Sequence, residues 1–403
     1  MGGNVTAINK KTGVETRAEK IQIKEIGRSE FMKKFIEIFK TINKQFKSKY
    51  KKPIWADESI IVSGFVFNGS TSFIMDPELS DEEVIKYKPS AGDLDIAVPE
   101  ELKEEIWTYL DKMEGKDIIP GATYMGSNKP SVSSIGDQIN SVFVVDFPNG
   151  QRASCQVDFE FLPFEGSKPT EWAKFSHSSS FVDSKAGTKA VHHKYLIRAL
   201  VGGASVRDDI VIATNKSTPE NFVLSNNKAH SIPRMLKFSV GKGIRTAYEP
   251  MLDKDGNQIK YKGKDVYKEI QGDNNSYETV VANIYKLAFQ DLEGHPEDVN
   301  LFNSFVGVIQ LMKKFLNKKQ IQNTHERYID LLWGIKPQRA QELEVQNPEL
   351  DFQVKNAGYQ RFIKDLKVRD ESEKYIKEYY KDYGKRGAVR ESFRSLIEML
   401  KNN

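Results

Sequence analysis

The chain of 403 residues contains a single cysteine, Cys155. One thiol excludes an internal disulfide and a cysteine-based zinc cluster, and the strand-like run around it makes a buried, inert side chain the expected state. No apolar run is long enough to span a bilayer, and the first residues lack the basic, apolar and small-residue order of a secretory signal. A soluble, cytoplasmic protein without a membrane partner is the expectation. An excess of charge is also nearly missing: 60 basic and 56 acidic residues leave a net charge of +4, too little to mark a nucleic-acid binder by composition. Its distribution says more. Between Lys10 and Lys52 basic residues outnumber acidic ones by roughly nine, and a milder excess follows Lys313. Either stretch could rest against phosphates, although a lysine-rich helix face is more often simply solvated. No internal repeat is present, and the length allows two or three domains.

Periodicity places the elements. Residues 1–28 are polar and weakly patterned and read as an arm. From Ser29, a candidate N-cap, Phe31, Phe35, Ile38, Phe39, Ile42 and Phe46 recur at helical spacing up to Pro53. Ser59 to Phe67 reads as a strand entering an Asn68-Gly69-Ser70 turn. An acidic segment, Asp76 to Lys88, follows as a surface helix or loop. Residues 100–113 form an amphipathic helix, and 115–135 are Gly- and Ser-rich enough to be loop. Strands at 141–147 and 151–162 flank Pro148-Asn149-Gly150, a hairpin signal. Thr188 to Leu200 is helical, with Lys185, Lys189 and His193 at four-residue intervals. Short strands occupy 231–270, including a hairpin about Asp255-Gly256. From Ser276 the pattern is mostly helical, with further helices around 326–333, 356–367 and 372–400.

The chemistry concentrates in Gly92-Asp93-Leu94-Asp95-Ile96-Ala97-Val98. In a strand Asp93 and Asp95 project from one face while Leu94, Ile96 and Val98 face the other. Two like charges so close are unfavourable unless neutralised, and a hard, oxygen-seeking cation such as Mg2+ does this best. In the second hairpin strand Val157, Phe159 and Phe161 alternate with Asp158 and Glu160, so a third carboxylate is available to pair beside the first two. Glu160 is a reserve ligand, more simply a strand-edge charge. Lys185, Lys189 and Lys194 are candidate cations for a polyphosphate, each more simply a solvated helix lysine. His193 is a possible phosphate neighbour and His192 a structural residue. Asp253 to Asn257 lacks the spacing of a calcium loop and fits a hairpin turn.

The order of strand, Gly-Ser turn, Asp-x-Asp strand and later acidic strand resembles the DNA polymerase beta-like nucleotidyltransferase superfamily. The residues that carry the likeness are Val66-Phe67-Asn68-Gly69-Ser70, Asp93-Leu94-Asp95-Ile96-Ala97 and Val157-Asp158-Phe159, within about 58–165. One departure is the longer separation of Ser70 from Asp93, filled by the acidic insertion. The resemblance implies an α+β fold: a small mixed sheet flanked by helices (58–270, with a β-rich extension), after a basic amino-terminal region (1–57) and before a helical carboxy-terminal region (271–403). It implies two-metal transfer of a nucleoside monophosphate from an NTP to an acceptor hydroxyl, with pyrophosphate leaving. Asp93, Asp95 and Asp158 would hold two Mg2+ ions; Gly69 would allow close backbone approach and Ser70 would hold phosphates. In the family the acceptor is an RNA 3′ end, a small-molecule hydroxyl or a protein side chain; the basic stretches favour RNA or another nucleic acid. The alternatives are a catalytically silent member that binds nucleic acid or a partner protein, and an unrelated interaction protein whose acidic strands are solvated.

Overall fold

The computed structural model describes residues 5–8, 13–127, 131–133, 136–180, 183, 190–204, 209–214, 216–221, 223–224, 236–239, 243–270, 281–282, 284, 296–321, 323–324 and 328. The protein is α+β, with small mixed sheets and helices, and divides into two compact units, Met1–Phe181 and Val182–Asn403.

In the first unit a hairpin of β1 (Thr6–Ile8) and β2 (Glu15–Arg17) precedes a short helix, α1 (Ile23–Ile26). This corrects the expected arm: Ala7 and Ala18 are buried with Val142, and Ile21 pairs with Ala91. Helix α2 (Arg28–Tyr50) is the long element, and its residues Phe31, Phe35, Ile38, Phe39, Ile42 and Phe46 are all buried, as their spacing predicts. Each such burial contributes about 1.5–3 kcal/mol. The helix begins at Arg28, with Gly27 rather than Ser29 at its cap, because Arg28 is itself fixed in the core. Its guanidinium donates to the carbonyls of Ile74 (2.7 Å), Leu79 (2.7 Å) and Asp76 and pairs with Asp81 at 2.7 Å.

The segment expected as a strand, Ser59 to Phe67, is a helical turn, α3 (Ser59–Val62), followed by an irregular stretch with a bridge between Phe67 and Ile96. Its apolar run is buried on several sides, so alternation could not separate helix from strand. Two helices, α4 (Thr71–Ile74) and α5 (Asp81–Tyr87), occupy the insertion held by Arg28. Next come β3 (Leu94–Pro99) and α6 (Lys103–Met113). The expected loop at 115–135 instead contains β4 (Lys116–Ile119), β5 (Ala122–Ser127) and β6 (Ser131–Ser133). In β5 inward and outward positions alternate, but small residues mask the pattern. The hairpin at Asn149-Gly150 joins β7 (Gly136–Asp146) and β8 (Arg152–Leu162).

The sheet order is β3-β8-β7-β5-β4, with β6 paired to β7. Strands β3 and β8 are parallel and in register at Leu94↔Val157, Asp95↔Asp158 and Ile96↔Phe159; β7 and β8 are antiparallel. One core runs from Ile21 to Phe161 between α2, α6 and the sheet. Buried Trp55 links them: its Nε1 donates to Ala97 O at 2.9 Å, while Asn43 of α2 accepts from the amides of Ile54 (2.9 Å) and Trp55 (3.0 Å). The unit ends with a two-stranded ribbon, β9 (Phe164–Glu165) and β10 (Lys168–Pro169), and α7 (Glu171–His177), capped by Thr170.

The second unit contains α8 (Ala190–Ala204) and a sheet of β11 (Ile210–Ala213), β12 (Leu236–Ser239), β13 (Gly243–Pro250), β14 (Lys260–Tyr261) and β15 (Lys264–Ile270). The hairpin expected near Asp255-Gly256 is present, with Asp253 Oδ1 accepting from the amides of Asp255 (2.9 Å) and Asn257 (2.8 Å). A 3-10 segment at Pro296–Asn303 leads into α9 (Phe305–Phe315). The expected helices at 356–367 and 372–400, and most of that at 326–333, lie outside the described residues.

Candidate metal centre

Parallel pairing of β3 with β8 sets Asp95 directly beside Asp158, and Asp93 stands two residues before Asp95. One carboxylate oxygen from each of Asp93, Asp95 and Asp158 lies within 4.8 Å of the other two. Asp158 is buried; Asp93 and Asp95 are half-buried. Glu160 shares the face of Asp158 on β8, and so does Gln156, whose Nε2 donates to both Asp158 oxygens at 3.0 and 2.9 Å.

Edge strand β3 is held on its free side by the turn that precedes α4. The amide of Asn68 donates to Asp95 O (2.9 Å), and that of Ala97 to Val66 O (2.8 Å). Thr71 Oγ1 accepts from the Asp95 amide at 3.1 Å and donates to Asp93 O at 3.4 Å, fixing the backbone that carries both aspartates. Gly69 has φ +52°, and a β-carbon built there would overlap Asp95 Oδ2. The turn needs glycine for its backbone conformation and for its approach to the carboxylate. The Gly69 amide donates to His177 O (2.7 Å) and Gly69 O accepts from the Ser179 amide (3.0 Å), so this glycine's backbone is occupied by protein. Ser70 is half-buried at the start of α4, beside that turn.

Electrostatics are strained in one direction. Burial pushes Asp95 well above the usual carboxylate range, and the charges of Glu160, Asp93 and Asp158 add to it. Burial raises Asp158 to about 7 against the Gln156 hydrogen bonds, with Asp93 and Glu160 reinforcing the rise. Glu160 is also raised to about 7 by burial and by Asp93; its bond from Asn68 Nδ2 (2.6 Å) and the charge of Lys174 act the other way. Lys174 of α7 donates to Phe67 O and lies 5.3 Å over the Phe65 ring. Burial lowers it to about 8, opposed by Glu160 and Asp76. Among the described residues no lysine or arginine forms an ion pair with Asp93, Asp95 or Asp158. An oxygen-only set of three converging carboxylates, with no lysine or arginine paired to it among the described residues, fits a hard divalent ion.

The other expected site residues lie in the second unit. Lys185 and Lys189 are outside the described residues, as is the side chain of His192. Lys194 and His193 are buried, not displayed on a solvated helix face. Asp183 accepts from the Phe305 amide (2.9 and 3.1 Å) and lies 3.4 Å from His193 Nδ1. His193 Nε2 is 2.6 Å from Phe302 O, an acceptor only, so this nitrogen carries the hydrogen. Burial raises Asp183 to about 7 and lowers Lys194 to about 7, each opposed by the other's charge; burial and Lys194 push His193 well below its ordinary value. These contacts tie α8 to the start of α9 and give His193 a structural task.

Sequence reasoning missed Thr71, Gln156 and Lys174, and placed Asn68 in the turn without its bond to Glu160. Gln156 could be read from the Gln-x-Asp-x-Glu alternation of β8; Thr71 and Lys174 act through tertiary contacts without a local signal. Compared with protein-family models, curated proteins and solved structures, the chain matches none.

Proposed function

We propose that the chain is a nucleotidyltransferase that moves a nucleoside monophosphate from an NTP to an acceptor hydroxyl, releasing pyrophosphate. The observation that supports this reading is the convergence of Asp95 and Asp158, on the paired parallel strands β3 and β8, with Asp93, which immediately precedes β3, beside a turn whose glycine abuts Asp95. Asp93, Asp95 and Asp158 would hold Mg2+. Bound there, the metal would supply charge neutralisation of the triphosphate and a lowered pKa for the attacking hydroxyl. The protein's own part is orientation: Thr71 fixes the backbone of the aspartate strand, and Gln156 orients the Asp158 carboxylate. Lys174 and Asn68 hold the preceding turn in place, with Ser70 available at its rim for a phosphate oxygen.

The test is incubation with each α-labelled NTP, Mg2+ and pooled RNA, following label transfer and pyrophosphate. Wild type should transfer label, while Asp93→Asn and Asp95→Asn should lose at least about 1,000-fold of the rate, the scale of removing a principal electrostatic element, with folding kept. Activity retained in either variant would sink the assignment. If no nucleotide is bound or cleaved by wild type, a silent binding module becomes the better reading.

A further inference from the structure

The outward face of α2 carries a ridge of lysines. Lys33, Lys40, Lys44 and Lys47 fall within an arc of about 60° on a wheel of 3.6 residues per turn, opposite the buried phenylalanine face, and Lys51 follows at the C-cap. Lys44, Lys47 and Lys51 are exposed and Lys40 is half-buried. From residue 38 to residue 56 there are six lysines and no acidic residue. Lys33 pairs with Glu30 and Lys52 with Glu105, whereas Lys40, Lys44, Lys47 and Lys51 have no carboxylate partner among the described residues.

This arrangement exceeds what the helix itself asks for. Complementing the helix dipole needs cations in the last turn alone, yet Lys40 and Lys44 lie before it. Lysines at four-residue (40/44, 47/51) and three-residue (44/47) spacing repel one another and weaken a helix. The packing of Phe35, Phe39 and Phe46 beneath holds α2 together against that repulsion, and a polyanion laid along the ridge would relieve it.

We infer that the lysine ridge of α2 is a docking surface for the phosphate backbone of single-stranded nucleic acid. From Lys40 to Lys51 the ridge is a single line roughly 16 Å long at 1.5 Å per residue, along which a flexible single strand can lay consecutive phosphates, whereas a stiff duplex, whose strands wind away from a straight ridge, meets it with fewer. The ridge has no exposed aromatic side chain, since Phe31, Phe35, Phe39 and Phe46 are buried, so its contacts are with the backbone alone, which carries no base preference. A membrane surface fits less well: an interfacial helix inserts its apolar face, and that of α2 is already in the core. Docking does not depend on catalysis at the aspartates; only the ridge's use as a guide for an acceptor strand rests on the transferase reading.

The experiment is fluorescence anisotropy of a labelled, mixed-sequence single-stranded RNA 20-mer titrated with the full chain across a salt series, without NTP. The variants are Lys40→Gln/Lys44→Gln/Lys47→Gln/Lys51→Gln and a charge-matched control, Lys86→Gln/Lys112→Gln/Lys168→Gln/Lys262→Gln, at exposed positions on other elements. The ridge variant should bind more than about 30-fold more weakly at about 0.1 M salt, and the slope of log K against log salt should fall by about 3, at roughly 0.7 per released phosphate contact. The control should bind within about threefold of wild type. Should the quadruple variant fold poorly by circular dichroism, Lys44→Gln/Lys47→Gln should lower the slope by about 1.4. Asp93→Asn should bind like wild type, which separates this surface from the chemistry. Equal weakening by the control, tighter ridge-dependent binding of the matching duplex, or ridge-dependent binding to phosphatidylserine vesicles with RNA ignored would each overturn the inference.

Discussion

Asp158 and Asp95 stand above the usual carboxylate range chiefly because the fold removes them from water. The sign of the consequence is fixed. An aspartate near 3.9 when unfolded and about 7 when folded favours the folded state in its protonated form. That stability is complete at acid pH and is lost as pH rises from about 4 through about 7. A divalent ion takes the deprotonated carboxylates, so its binding must release protons and strengthen as pH rises. In EDTA the melting temperature should therefore fall between about pH 5 and pH 8, and the increment from Mg2+ should be larger at about pH 8 than at about pH 6. Thermal unfolding monitored by circular dichroism checks both, and Asp158→Asn should flatten the dependence. A Mg2+ increment independent of pH would show that the carboxylates do not share an ion. Asp95 and Asp158 were legible because strands alternate and the apolar positions beside them are unbroken, while Asp93, expected in the same strand as Asp95, immediately precedes that strand. Thr71 was not, since it reaches Asp93 and Asp95 across a turn and carries no periodic signal.

At the scale of elements, the segment between Ser70 and Asp93 is anchored by α2. Arg28 satisfies carbonyls of three residues in that segment and pairs with Asp81. Lysine cannot reproduce this planar fork, and each buried carbonyl left without a donor costs about 1–3 kcal/mol. Arg28→Lys should therefore destabilise the first unit by about 2–4 kcal/mol in urea unfolding and speed proteolytic cleavage between 75 and 90. A change below about 0.5 kcal/mol would mean that water replaces the guanidinium. The same contacts explain what the sequence did and did not disclose. Helix α2 was readable because six apolar residues repeat at helical spacing on one face. Its first residue was misplaced because a buried arginine, not a serine cap, decides where it starts. Residues 59–67 looked like a strand because an apolar run buried on several sides has no period, and Gly64 at φ +76° ends α3 after a single turn.

For the whole molecule, the distribution of buried side chains decides which parts depend on one another. Among the described residues one core runs from Ile21 to Phe161 inside the first unit, and within the second Ile210, Ile212 and Tyr248 form one cluster and Ala213, Met251 and Val266 another. The three aspartates, the Gly69 turn, and Thr71 and Gln156 that orient them also lie within Met1–Phe181. A segment with its own core and no chain break folds on its own as a rule. A fragment of residues 1–181 should then unfold in one cooperative transition and bind Mn2+ with an affinity within about threefold of the full chain, the scatter expected for independent sites, as read by electron paramagnetic resonance. Asp93→Asn in the fragment should weaken that binding at least about tenfold, the loss of one charged ligand. A fragment that melts without cooperativity would make the second unit part of the fold of the first. A cooperative fragment without Mn2+ binding, beside a full chain that binds, would assign a missing ligand to residues after Phe181.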